Sequence, residues 1–224
     1  MAFGNEVLAL VDRAHLPPMI MRRPSGFIEP CQPSKAAQPP SGPLWVHEIK
    51  PDAYRLMVRR DGARVRCFTR NGHDWADRFP AIVEAAQRLV RAQSFLIDGE
   101  AVIVGDDGTP DFDALRSRSR EAMLVAFDLL EHAGSDLRDL PLLERKRRLA
   151  RLLGRPQQWR AIQYGNHLTG DGPTIFDHVC RMGLEGIVSK RVDAPYRSGP
   201  SKTWLKSKNP QSAVVRRERE EEWR

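Results

Sequence analysis

The sequence predicts an α+β domain whose strands pair into mixed or antiparallel sheets, with helices laid against them. Three observations carry this expectation. Short runs rich in β-branched and aromatic residues recur between segments of helical spacing. Two of those runs are joined by Asp61-Gly62, the dipeptide of a tight hairpin. Eight of the 17 prolines fall in the first 43 residues, so long helices and central strands begin only beyond them.

Residues 1–43 therefore read as a lead-in that wraps the domain. Trp45–Lys50 and Tyr54–Arg60 read as strands, and Ala63–Arg70 as the strand returning from the hairpin. Phe79–Val90 carries Ile82, Ala85, Ala86 and Leu89 at helical spacing. Ser94–Val104 is a buried strand ended by the turn Asp106-Asp107-Gly108. A short helix over Asp111–Arg118 precedes the apolar strand Met123–Leu130. Pro141 opens a helix through Leu153, with Leu142, Leu149 and Leu152 on one side and Arg145-Lys146-Arg147-Arg148 on the other. A helix over Asp171–Gly183 is followed by the strands Gly186–Lys190 and Thr203–Lys208. The tail, residues 211–224, holds four Arg and four Glu and reads as a short exposed helix.

The 224 residues, 41% of them hydrophobic, suffice for a globular core. No apolar run approaches the ~18 residues of a membrane helix. The short run Val7–Val11 follows Glu6 with no basic residue before it, which makes a poor secretory signal. A soluble, cytoplasmic protein without a membrane partner is expected. Cys31, Cys67 and Cys180 are scattered and form no CxxC pair, so neither a disulfide framework nor a zinc site is indicated. His47 and His73 read as solvated side chains rather than ligands.

The net charge of +7 suits a polyanionic partner. Two clusters supply it. Residues 54–70 hold six Arg and one Asp, and residues 141–160 hold seven Lys or Arg and one Glu. A solvated face explains the second cluster as well as nucleic-acid contact does. The first lies on the hairpin beside Lys50, which makes Arg64 and Arg66 candidates for contact with a phosphate backbone.

On an extended strand, side chains two apart share a face, so Glu48 and Lys50 project together. Burial and neighbouring cations both favour the neutral, nucleophilic form of a lysine amine. Asp98-Gly99-Glu100 places two carboxylates on one face at a strand end, and Phe127-Asp128 lies inside an apolar strand. Glu185-Gly186-Ile187-Val188-Ser189-Lys190 sets a carboxylate before a strand and an amine at its end. Trp204, Lys206 and Lys208 share a face of the last strand. Carboxylates with several lysines suit a nucleoside triphosphate and its divalent metal.

These elements, in this order and spacing, resemble the nucleotidyltransferase motifs of ATP-dependent DNA ligases, especially the adenylation domain of bacterial repair ligases. Lys50-Pro51-Asp52-Ala53-Tyr54-Arg55 is similar to that family's Lys-x-Asp-Gly-x-Arg element. Thr69-Arg70-Asn71-Gly72, Asp98-Gly99-Glu100, Phe127-Asp128, Glu185–Lys190 and Trp204–Lys208 follow it. The resemblance covers residues 27–210, leaving 1–26 as an N-terminal extension and 211–224 as a charged tail. It implies an ATP-grasp-like adenylation fold of two mainly antiparallel sheets flanked by helices.

The resemblance also implies roles. Lys50 would attack the α-phosphorus of ATP and form lysyl-AMP, and the AMP would pass to a 5′-phosphate at a nick or break in double-stranded DNA. Glu48 would accept from the adenine amino group, and Phe127 would stack on the base. Arg55 and Arg70 would hold sugar and phosphate. Glu100 would meet the ribose or the metal, and Glu185 the metal, Mg2+ or Mn2+. Lys190, Lys206 and Lys208 would neutralise the phosphates.

Three departures stand out. Ala53 replaces a glycine, Pro200 stands where a basic residue is usual, and the 14 residues after Pro210 are too few for the OB-fold domain that relatives place there. The expectation is thus a lone adenylation domain of a repair-type DNA ligase, either minimal or assisted by a separate repair protein that supplies the missing closure. Two alternatives follow: an accessory module that binds ATP or DNA without sealing, and an RNA ligase.

Overall fold

The computed structural model describes residues 24–155, 160–212 and 215. The first 23 residues of the expected lead-in and nearly all of the expected tail helix lie outside the described residues.

Among the described residues ten strands form two sheets. The first contains β1 (Cys31–Lys35), β2 (Trp45–Ile49), β9 (Gly186–Arg191) and β10 (Gly199–Lys208) in the order β1-β10-β9-β2. The second contains β3 (Tyr54–Asp61), β4 (Arg64–Thr69), β5 (Ser94–Val102), β6 (Met123–His132) and β7 (Ser135–Asp136) in the order β4-β3-β5-β6-β7, with β8 (Ile162–Tyr164) also on β6. Pairing is antiparallel except for β1 with β10 and β8 with β6. The α+β expectation with two mainly antiparallel sheets holds.

The second sheet is buried on both faces, and the two-residue period sorts its side chains. Leu56, Val58, Phe95, Ile97 and Ala126 face one core with α1 (Pro80–Gln87), α2 (Phe112–Ser117) and α3 (Leu142–Leu153). Met57, Leu96 and Phe127 face the other, against Val46 and Trp204 of the first sheet. Helix ends follow local chemistry. Asp111 caps α2 by accepting from the Ala114 amide, and Asp171 caps α4 (Gly172–Arg181) by accepting from that of Thr174. Gly154, at φ +72°, ends α3.

Three strands escaped the sequence. β1 contains Pro33, which is tolerated because β1 is an edge strand with a bulge between Pro33 and Ser34. β7 and β8 are too short to show a period. The last strand starts at Gly199 rather than Thr203, because β1 lends it a partner. Asp98-Gly99-Glu100 does not end a strand: β5 runs on to Val102, with a register shift at Asp98/Gly99. A Cβ on Gly99 would stand 2.8 Å from the Val125 carbonyl oxygen, so only glycine passes there.

The basic side of α3 is only half solvated. Arg145 and Lys146 are 0% and 1% exposed. Arg145 clamps Asp128 with two bonds of 2.8 Å. Likewise, of the six arginines in residues 54–70, Arg59 and Arg60 are buried on backbone carbonyls. His47 is not solvated either: it is fully buried, with Nδ1 2.9 Å from the Ser189 hydroxyl. Cys31, Cys67 and Cys180 are free thiols, and no described helix is long and apolar enough to cross a membrane.

Candidate active site

A cleft of about 420 Å³ is lined by residues of both sheets. Lys50, Arg55, Arg70, Glu100, Lys206 and Lys208 line it. Pro30–Pro33, at the start of β1, line it as well.

Lys50 follows β2, and its amide donates to the Gly186 carbonyl at 2.9 Å. Its Nζ stands 2.6 and 2.7 Å from the two oxygens of Glu185, whose side chain is 2% exposed. Lys208 approaches the same carboxylate at 3.3 Å. Glu185 is fixed by its neighbour. Gly186 has φ +147°, and a Cβ there would lie 2.1 Å from the Ser207 carbonyl oxygen, so only glycine lets β9 close onto β10 at this point.

Arg55 and Glu100 are cross-strand partners on β3 and β5. Asp98, sharing the face with Glu100, grips Arg55 with bonds of 2.6 and 2.7 Å. The Tyr196 hydroxyl donates to Asp98 at 2.7 Å. Held this way, Arg55 lies 3.9 Å from Glu100 and stacks 4.7 Å above the Phe127 ring centre. Burial, aided by Asp98 and Glu185, pushes the Glu100 carboxyl up to about 7, although Arg55 and Lys50 pull it down. Lys206 is shifted down, first by burial and then by Lys208 and Lys50.

Glu48 and Lys190 do not line the cleft. They are diagonal neighbours on one face of β2 and β9, because Glu48 pairs with Val188 and Val46 with Lys190. Lys190 Nζ lies 2.5 Å from Glu48 Oε2 and 3.8 Å over the Phe127 ring centre. The ring face expected to stack on a base thus carries an ammonium group, and Phe127 is only 7% exposed. Lys146, from α3, reaches Glu48 Oε1 at 2.6 Å. Burial would raise the Glu48 carboxyl, but Lys190 and Lys146 together hold it below the usual carboxylate value. Burial lowers Lys190, and Lys146 adds to that, against the pull of Glu48.

The hairpin arginines differ. Arg64 is exposed, whereas Arg66 donates to the Ser25 carbonyl at 2.6 Å, pairs with Asp61 and lies over Phe68. Arg66 is thereby engaged with the segment before β1. Ala53 lines the cleft without a positive φ, so the methyl group costs no backbone strain. Pro200 is exposed near the start of β10.

The ATP dependent DNA ligase domain family matches residues 29–208. The chain belongs to this family. Its ligase domain is 41% identical over 188 residues to the multifunctional non-homologous end joining protein LigD of Pseudomonas aeruginosa, covering 81% of this chain and 22% of that protein. It is 38% identical over 176 residues to a probable DNA ligase of Streptomyces coelicolor, covering 72% and 34%. The chain therefore spans about a fifth to a third of these curated relatives. Among solved structures, a mycobacterial DNA ligase D complexed with ATP and MES superposes with a TM-score of 0.70 at 29% identity, over 80% of this chain and 59% of that one.

Sequence reasoning missed Lys146 and Tyr196 as members of the ligase domain's polar networks, and it named Asp98 without its partners Arg55 and Tyr196. For Lys146 a signal was present. Positions 145 and 146 follow Leu142 by three and four residues and precede Leu149 by the same intervals, which places them on the buried stripe of α3.

Proposed function

We propose that the ligase domain forms lysyl-AMP at Lys50 and passes the AMP to a 5′-phosphate at a nick or break in double-stranded DNA. The observation that carries this reading is the position of the Lys50 amine. It lies on Glu185 at the wall of a cleft whose other walls carry Arg55, Arg70, Glu100, Lys206 and Lys208.

The first step forms a bond between Nζ and the α-phosphorus and breaks the bond to the pyrophosphate oxygen. The amine must shed a proton, and Glu185 is the acceptor nearest to it. Lys206 and Lys208 neutralise the departing phosphates, while Arg55 and Arg70 hold sugar and phosphate. Glu48 reads the adenine amino group and Phe127 supports the base, with Lys190 moving from Glu48 toward phosphate. In the second step a 5′-phosphate oxygen attacks the AMP phosphorus and Lys50 leaves. A 3′-hydroxyl then displaces AMP and seals the strand.

Glu100 and Glu185 suit a divalent ion. Both would hold it with carboxylate oxygen, the donor that Mg2+ or Mn2+ takes, alongside oxygens of the triphosphate; among the described residues no group of three or more His, Cys, Asp or Glu is gathered. Bound there, the ion would offset charge on the phosphates. An OB-fold module that closes over the cleft, in the same or a separate polypeptide, is the partner this reading implies. DNA break repair, as the names of the LigD relatives suggest, is its setting.

Labelled ATP with Mg2+ or Mn2+ should leave AMP on the protein through a bond that survives alkali and yields to acidic hydroxylamine. Lys50→Ala should abolish it. A chase with nicked DNA should move the label to the 5′-phosphate faster than a chase with nicked RNA. Absence of any adduct from the unmodified chain with metal present would overturn the reading.

A further inference from the structure

The polar cluster around Glu48 contains a residue that no part of the reading above uses. Lys146 comes from α3, 98 positions along the chain from Glu48, and its side chain is 1% exposed. An ammonium group has three protons to donate. Here each has an acceptor: Glu48 Oε1 at 2.6 Å, the Gly165 carbonyl at 3.0 Å and the Phe127 carbonyl at 3.2 Å. Two of the three are backbone oxygens, from the end of β6's apolar run and from the residue just after β8. The amine is tied at three points, two of them on the backbone.

Lys190 holds the other oxygen of Glu48 differently. Its remaining close neighbours are the faces of Phe127 and Trp204, at 3.8 and 3.9 Å from the ring centres. A cation over aromatic faces is attracted without a fixed direction, so this amine can leave Glu48 at lower cost than Lys146 can. The two oxygens are therefore not equivalent: Oε1 is anchored, while Oε2 can exchange its donor.

We propose that Lys146 is a positioning residue for base recognition. It pins Glu48 through Oε1, so that Oε2 stays aimed to accept from the exocyclic amine of a purine, which takes the place of Lys190. The inference rests on the adenylation reading. It deepens that reading by assigning the preference for a 6-aminopurine to a helix residue that does not itself touch the base. A buried acceptor held in one direction rejects an analogue that lacks the donor, because the acceptor is then left unpaired.

The test compares ATP with purine riboside 5′-triphosphate, which lacks only the 6-amino group. Adduct formation is measured as kcat/KM for each nucleotide in the unmodified chain, in Lys146→Met, and in the double variant Glu48→Gln/Lys146→Met. The double variant removes the charge that the single one leaves half paired in the interior. The unmodified chain should prefer ATP at least tenfold, and both variants should bring the ratio toward one, with the loss carried mainly by a higher KM for ATP. A folded variant of either kind that keeps the original ratio overturns the role of Lys146. So does an unmodified chain that forms adduct equally well from both nucleotides. An unmodified chain that forms adduct from neither overturns the adenylation reading itself.

Discussion

Lys50 with Glu185, and Glu48 with Lys146 and Lys190, are built from the same two residue types, carried by the neighbouring strands β2 and β9 and their ends except for Lys146, which comes from α3. They differ in how far water reaches them. The Lys50 side chain is 27% exposed at the cleft wall, whereas Lys146 and Lys190 are 1% and 2% exposed in the interior. At the wall, a lysine can change partner, charge state and covalent state at modest cost. In the interior, each charge is held only because its partners are in place, since removing one leaves the others unpaired in a poorly solvated site. One cluster is suited to react and the other to hold geometry.

The largest effect separates them by stability. Glu48→Ala should cost about 3–5 kcal/mol in denaturant unfolding, since two buried ammonium groups lose their carboxylate. Lys50→Ala should cost about 1 kcal/mol or less, because the lysine is partly solvated and Glu185 keeps Lys208. Equal costs would erase the distinction between the two clusters.

A second measurement uses pH. Burial pushes the Glu100 carboxyl up to about 7 in the folded chain, above its ordinary value, so the folded state binds its proton more tightly than the unfolded chain does. Its contribution to stability is present at low pH and lost as pH rises toward 7. Glu100→Gln should therefore be more stable than the unmodified chain at pH 8, by on the order of 1–3 kcal/mol, and no more stable at pH 4. Metal-dependent adduct formation should rise roughly tenfold from pH 6 to 8 as the carboxylate ionises, and Glu100→Gln should flatten that rise. A variant whose profile rises as steeply as that of the unmodified chain would remove Glu100 from the metal's neighbourhood.

The smallest effect lies on the hairpin. Arg64→Ala should reduce the slope of log affinity for DNA against log salt by about 0.9, the value for one phosphate contact. Arg66→Ala should leave that slope unchanged and lower the melting temperature, because Arg66 fastens the Ser25 carbonyl and Asp61. The reverse result would place the hairpin's DNA contact on Arg66.

Much of the domain was legible in the residues. Asp61-Gly62 marked the β3–β4 turn, Asp111 and Asp171 marked helix starts, and two-residue alternation placed Lys206 and Lys208 together on the cleft. The motif order also anticipated that Lys50, Arg55, Glu100 and Lys208 would meet. The errors share a cause. Arg59, Arg60, Arg145 and Lys146 look like solvated charges because a local window does not contain the acceptors that bury them. For Arg60 those are carbonyls at the end of α1, and for Lys146 a carboxylate on the other sheet.

By itself, then, the sequence determined the kinds of element, their faces and the order of the reactive residues, because these depend on neighbours within a few positions. Tertiary structure alone decided which lysine meets which carboxylate. Those partners stand 98 to 142 residues apart, and an interior charge is tolerated only where the assembled sheets and α3 bring the opposite charge within hydrogen-bond reach.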